Sequence, residues 1–386
     1  MSEFRTIREL CSVVVDCPHS TPKWTANGKI VIRNKNIKHG KIDFSSPSYT
    51  DDEHFAQRIK RAKPQPGDII ITREAPIGDV GMIPENTECC LGQRMVLLRA
   101  NQSVCDNFYL LYSLQSLYVQ HQISWSEGTG TTVSNLRIPH LEQIQIPYLP
   151  LEQQAKISSV LRALEEKIEN NRRLNDNLQQ QAAALFSSLY DRTNTEVRFT
   201  DLIQILGGGT PKTGENTYWN GNIAFFTPKD VGTPYTLITE KTITEEGLSH
   251  CNSRLYPVNT VFVTARGTVG KVGMSGVPMA MNQSCYALVG KETHQLLVYF
   301  YTLKAVDRLK HKASGAVFDA ITTRDFESEQ IMKLSDDDAT AFLRVAEPMF
   351  QEVLNNNIEN LRLSTLRDSL LPKLMSGEID VSAVQL

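Results

Sequence analysis

No run of about 18 apolar residues, the length that a membrane-spanning helix needs, occurs in the 386 residues. The opening MSEFRTIREL carries charges where a signal peptide needs an apolar stretch, so the chain is expected in the cytoplasm. The seven cysteines (11, 17, 89, 90, 105, 251 and 285) are odd in number and never form a CxxC pair, so neither a disulfide framework nor a zinc ribbon fits. The eight histidines form no HExxH or HxH cluster that could ligate a metal. The motifs of chemistry are missing too. GKVG at 270–273 is not a phosphate-binding loop, because Lys271 is followed by Val272 rather than Ser or Thr. LGGGTP at 206–211 lacks dinucleotide-site spacing and reads as a loop that gives backbone access. No Asn-Pro-Pro-Tyr or Asp-Pro-Pro-Tyr stretch, the hallmark of amino-methylating enzymes, is present. Glu165 and Glu166 fall on a predicted long helix with no cleft, and Asp336, Asp337 and Asp338 open a second one, where negative charge favours the helix dipole. The expectation is a chain without a catalytic centre, metal or cofactor of its own.

A strong net charge is absent as well, but its distribution is informative. The total is −3, and residues 335–386 alone hold nine acidic against four basic residues. Residues 23–41 contrast with this: Lys23, Lys29, Arg33, Lys35, Lys38 and Lys41 cluster without an acid between them, and Arg58, Lys60, Arg61 and Lys63 follow. Such runs can neutralise phosphates; taken alone, they fit a solvated lysine-rich face equally well.

What is present is one unit used twice. TREAPIGDVGM at 72–82 returns as TARGTVGKVGM at 264–274, keeping Thr72/Thr264, Gly78/Gly270 and Gly81/Gly273. Each copy is preceded by a strand-like run, PGDIII or PVNTVFV, and followed by LGQRMVLL or MNQSCYALV, which share Gln93 and Gln283. GTTVSNLRIPHLEQIQI (130–146) then resembles GAVFDAITTRDFESEQI (315–331). Each copy reads as a strand-rich domain with a few helices, among them DNFYLLYSLQSLYVQHQI and THQLLVYFYTLKAVDRLKH.

A different texture follows each copy. Residues 151–190 contain neither Gly nor Pro and repeat apolar residues every 3.5 positions, which predicts one long helix with Leu164, Ile168, Asn171, Leu178 and Leu185 on its seam. The same steps after the second copy place Phe350, Leu354, Asn357 and Leu361 on an equivalent seam. Two such stripes most simply bury each other, and Asn171 and Asn357 are expected at or near each other across the seam, fixing its alignment. The predicted fold is α+β: two similar strand-rich domains, 1–150 and 196–334, joined by helices in 151–195 and 335–386. Paired as an antiparallel coiled coil, these helices give the chain pseudo-two-fold symmetry. Two separated, similar heads suit a long ligand whose backbone is itself two-fold symmetric, and duplex DNA is such a ligand.

Three stretches make the pattern specific. LGGGTPKTGENTYWNGNIAFFTPKDV (206–231) resembles the opening of a target recognition domain, IPYLPLEQQAKI (146–157) the junction into a central helix, and LRDSLLPKLMSGEIDV (366–381) the end of a second helix. Together they resemble the specificity subunits of type I restriction-modification systems over essentially the whole chain. That resemblance implies a non-catalytic subunit reading a bipartite, asymmetric double-stranded DNA site, with the helices acting as a ruler. It implies two methyltransferase subunits and restriction subunits as partners, and leaves S-adenosylmethionine, ATP and Mg to those partners. The first head departs from the pattern: CSVVVDCPHSTPKW lacks the glycine triplet, although His19, Thr21, Pro22 and Lys23 are placed to form the corresponding loop.

No base contact carries over by motif, so candidate readers follow from residue chemistry: Arg pairs with guanine, Asn or Gln with adenine, and Lys with phosphate. In the first head these are Arg33, Lys35, Asn36, Arg73, Gln93, Arg94 and Thr131. In the second they are Lys212, Trp219, Lys229, Arg266, Gln283 and Arg324. Trp219 could equally be core, and the shared glutamines could bond to backbone. A coiled-coil scaffold without DNA readout is the alternative in another functional class.

Overall fold

The computed structural model describes residues 3–125, 135–312 and 320–381. The chain divides into two compact units, Met1–Glu166 with Leu363–Leu386, and Lys167–Arg362.

In the first unit a four-stranded antiparallel sheet runs in the order Cys11–Asp16, Met95–Ala100, Ile69–Thr72, Val80–Met82. Its inner strands are apolar on both faces, which fits their sequence: IIIT and MVLLRA do not alternate with polar residues because neither face meets water. Ile69, Ile71, Val96 and Leu98 pack under the helices Asn107–Gln115 and Leu117–Trp125. Ile70, Met95 and Leu97 face the opposite way, onto Ile32, Cys89 and Leu91 of a three-stranded sheet, Ser48–Thr50, Lys29–Ile32, Cys89–Leu91. DNFYLLYSLQSLYVQHQI is thus two helices rather than one. Ser116 adopts an extended backbone (ψ 146°) and breaks the run, and its hydroxyl donates to the Ser113 carbonyl at 2.6 Å.

The second unit repeats this plan. Its main sheet is Ile203–Gly207, Cys285–Gly290, Val261–Thr264, Val272–Ser275, Tyr235–Thr236, and a companion sheet is Lys241–Ile243, Trp219–Phe226, Met279–Met281. One helix, Gln295–Lys312, covers the face carrying Val261, Val263 and Leu288, while Phe262 and Ala287 pack on Phe226, Met279 and Met281.

The repeated TxxxxxG sequence is explained by one turn built twice. Thr72 Oγ1 accepts the Asp79 N–H at 2.9 Å and its carbonyl accepts the Gly78 N–H at 2.9 Å. Thr264 does the same for Lys271 and Gly270, both at 2.9 Å. Gly78 (φ 82°) and Gly270 (φ 75°) lie in the left-handed region, where a side chain is strained.

The long helices are Leu151–Tyr190 and Asp336–Met375. The second is capped by Ser335, whose hydroxyl accepts the Asp338 N–H at 3.1 Å, so the acidic run serves the helix start. In the first unit Ile157 and Leu161 share a core with Leu374 and Met375, and Glu165 pairs with Arg367 at 3.5 Å. In the second unit Asn171 meets Asn360, Asn175 meets Asn356, and Phe186 packs edge-on against Phe342. Numbers rise along one helix as they fall along the other, so the pairing within each unit is antiparallel. Ile168, Asn171, Phe350 and Leu354 are buried on the seam, with Leu164 and Leu178 half-buried.

Three expectations change. Asn171 donates to Glu359 (2.7 Å) and Asn360 (3.0 Å), not to Asn357, whose partner is Asn175. The repeat offset finds equivalent positions, whereas antiparallel contact pairs positions that run in opposite directions. Leu361 is 37% exposed, off the seam. Phe186 rather than Leu185 is buried, because a straight helix drifts by about 20° per heptad against a strict 3.5-residue repeat.

Candidate nucleic-acid interface

Four loops of the first head converge through a small set of hydrogen bonds. Gln93 donates to the His19 carbonyl and, at 3.4 Å, to Thr21 Oγ1, which ties loop 18–24 to the turn 92–94. Arg73 N–H donates to the Arg94 carbonyl at 2.8 Å, and Asn34 Nδ2 to the Glu74 carbonyl at 2.6 Å, which brings in turns 73–79 and 33–36. Between them lies a concavity of about 390 Å³ lined by Trp24, Arg33, Lys35, Gln93 and Arg94. Four residues singled out from sequence meet there. The fifth, Trp24, is a half-exposed indole that sequence reasoning passed over, and its neighbourhood to the basic run was the available signal.

The second head assembles the same four loops. Thr210 Oγ1 donates to Gln283 Oε1, so the TPK sequences 21–23 and 210–212 are each held by the equivalent glutamine. Ala265 N–H donates to the Ser284 carbonyl at 2.8 Å, matching Arg73 to Arg94. Arg33 N–H donates to Asn36 Oδ1 (3.0 Å) as Thr227 N–H donates to Asp230 Oδ2 (2.8 Å), which makes Lys35 and Lys229 equivalent. The scaffold is shared and the side chains differ: Glu74 and Arg94 in one head stand where the other has Arg266 and Ser284.

Not every candidate points outward. Arg73 is spent inside the head, pairing with Asp16 at 2.9 Å and donating to the Leu136 carbonyl at 2.9 Å. Its expected role as a base reader is revised to that of a brace. Asn36 is buried, accepting from Arg33 and donating to the Asp43 carbonyl at 2.9 Å, so it too is structural. Trp219 packs edge-on against Phe225 and donates to the Lys212 carbonyl at 3.3 Å, with Lys241 over its ring. Lys229 pairs with Glu240 at 3.4 Å. Arg266, Arg324 and Lys212 are exposed and their side chains have no hydrogen-bond or ion-pair partner among the described residues. Thr131 lies outside the described residues.

The second basic run also separates on inspection. Arg58 is buried and donates to four carbonyls, of Pro18 (3.0 Å), Ser20 (3.0 Å), Leu91 (2.7 Å) and Gly92 (2.8 Å). Burial pulls its pKa down, and the four carbonyls supply the hydrogen bonds that the desolvated guanidinium loses from water. It is a staple between loops 18–24 and 92–94 rather than a phosphate contact. Lys63 pairs with Glu88 at 3.0 Å. Cys17, Cys89, Cys90 and Cys285 are buried thiols whose pKa values rise through desolvation.

The two heads thus share one loop scaffold and differ in the side chains it carries, Glu74 and Arg94 against Arg266 and Ser284. Residues 3–180 and 192–333 match the family described as type I restriction modification DNA specificity domain, and the chain belongs to that family. Members are the non-catalytic subunits, the enzymatic partners being separate chains. The type I restriction enzyme MjaIX specificity subunit of Methanocaldococcus jannaschii is 23% identical over 342 residues, covering 82% of this chain and 78% of that protein. The EcoR124I/EcoR124II specificity subunit of Escherichia coli is 35% identical over 100 residues, 25% of this chain and 24% of that one. The fold is similar to the crystal structure of a type I restriction-modification S subunit from M. genitalium, with TM-score 0.63 and 18% identity, covering 97% of this chain and 96% of that one. Among the described residues no helix is long and apolar enough to cross a membrane.

Proposed function

We propose that the chain reads a bipartite, asymmetric duplex DNA site as the specificity subunit of a type I restriction-modification complex in the cytoplasm. The heads, 1–150 and 196–334, are its target recognition domains, each taking one half-site. The helices in 151–195 and 335–386 set the length of the unread spacer. Two methyltransferase subunits and restriction subunits are its protein partners, and S-adenosylmethionine, ATP and Mg act in those partners.

The observation that carries this reading is the matched loop set with exchanged chemistry. A hydrogen-bonded scaffold common to both heads carries the ion pair of Glu74 and Arg94 (3.3 Å) in one, and Arg266 and Ser284 in the other. Equal scaffolds with unequal readers give two unlike half-sites, since specificity follows from which donors and acceptors reach the base edges.

The test is genome-wide adenine methylation, read by long-read sequencing in a host carrying the chain and its neighbouring methyltransferase, with and without the chain. A split motif with two short constant parts that disappears on deletion supports the reading. No change, with both proteins expressed, favours a scaffold without DNA readout.

A further inference from the structure

The inference rests on the reading that the first head contacts duplex DNA, and it concerns which base that head selects. The basic groups around its concavity are not equivalent. Arg73 is consumed by Asp16 at 2.9 Å, Arg94 by Glu74 at 3.3 Å, and Lys35 donates to Ser46 Oγ at 3.3 Å. Arg33 alone of these has its guanidinium on an aromatic face: its central carbon lies 5.0 Å from the centre of the Trp24 ring. It has no carboxylate partner among the described residues.

Stacking engages the flat face of a guanidinium and leaves the N–H groups around its rim free, whereas an ion pair occupies them. Both partners of the stack are anchored by backbone. Arg33 N–H is fixed by Asn36 Oδ1 (3.0 Å), and Asn36 is buried. Trp24 is flanked by Lys23, whose carbonyl accepts from Thr50 Oγ1 (2.8 Å), and by Thr25, whose N–H donates to the Tyr49 carbonyl (3.1 Å). A planar donor fork, held open and pre-oriented, matches the paired O6 and N7 acceptors of guanine in the major groove. The second head has no such stack: after its TPK sequence stands Thr213, and Thr227 replaces Arg33.

We infer that the first head reads a guanine, with Arg33 as the specificity-determining side chain and Trp24 as the positioning residue that keeps its fork open.

The experiment uses the full chain in complex with its methyltransferase subunits and a pool of random-sequence duplexes, selected in parallel with wild type, Arg33→Ala, Arg33→Lys, Trp24→Ala and Trp24→Phe. Thermal melting first establishes that each variant is folded. Wild type is expected to enrich a split motif with an invariant guanine in one half. Arg33→Ala and Arg33→Lys should lower that guanine's enrichment roughly tenfold or more, leaving the other half intact, because lysine keeps the charge but not the fork. Trp24→Ala should blur the same position and Trp24→Phe should restore it, a rescue that a general packing role would not confine to one base.

Several outcomes overturn the inference. Weakening by Arg33→Ala that is uniform across all sequences, with a salt dependence shallower by about one phosphate contact, makes Arg33 a backbone contact. An unchanged motif removes it from the interface. An invariant base other than guanine that depends on Arg33 is equally fatal. If wild type enriches no motif, the DNA-reading proposal falls together with this one, whereas a motif indifferent to Arg33 sinks only the guanine assignment.

Discussion

Asn175 and Asn357 meet inside the antiparallel helix pair of the second unit, the Asn175 amide donating to Asn357 Oδ1 at 2.9 Å while Asn356 donates back to Asn175 Oδ1 at 2.9 Å. One turn away Asn171 donates to Glu359 and Asn360, and Lys167 pairs with Glu359 at 3.2 Å. A stripe that is otherwise apolar thus carries a polar layer whose partners exist in one alignment only, the use for which seam asparagines are best attested.

Replacing Asn175 by Leu is expected to strand the buried Asn356 and the half-buried Asn357 and to cost roughly 1–3 kcal/mol. Chemical denaturation of the full chain measures this. The triple change to apolar residues at 175, 356 and 357 should recover much of the stability while loosening register. A single Asn175→Leu variant as stable as wild type would mean that the layer is dispensable.

Arg73→Ala should act on stability before it acts on readout. Its partner Asp16 is largely buried, and removing one member of such a pair costs roughly 3 kcal/mol. A double-mutant cycle with Asp16→Ala, read by thermal unfolding, should show strong coupling between the two. Wild-type stability combined with altered sequence preference would return Arg73 to the list of base readers.

Arg58→Met keeps the apolar stem and removes the four-carbonyl staple. The expected cost is about 3 kcal/mol or more, since the carbonyls of Pro18, Ser20, Leu91 and Gly92 lose a charged donor. Hydrogen exchange should rise in loops 18–24 and 91–94 together. Exchange confined to the helix that bears Arg58 would argue against a staple between loops.

Asp51 caps the helix Asp52–Arg58, accepting the His54 N–H at 2.9 Å, and it also contacts the His54 ring and Lys23. The His54 backbone N–H, then its side chain, hold the carboxyl down from 3.8 to about 2. Because the folded value lies below the ordinary one, this contribution is complete above 3.8 and is lost as pH falls towards 2. Asp51→Asn keeps a capping oxygen and should flatten that part of the acid limb in pH-dependent unfolding. An unaltered limb would assign the acid sensitivity to other carboxylates.

The sequence by itself determined the duplicated plan, its strand-rich runs, the two long helices and the family. These features are legible because periodicity and repeated turn chemistry are local: Thr72 and Gly78 must recur wherever that turn is built. Only the tertiary structure decided which polar side chains remain available to a ligand. Arg33 and Arg73 read alike in the sequence, yet one lies over Trp24 with no carboxylate partner among the described residues, and the other is closed by an aspartate 57 residues away. A charge acquires its role from groups that folding brings to it, and sequence spacing does not encode those distances. The same holds for Asn171 and Asn357: the repeat made them equivalent, and antiparallel packing gave them different partners.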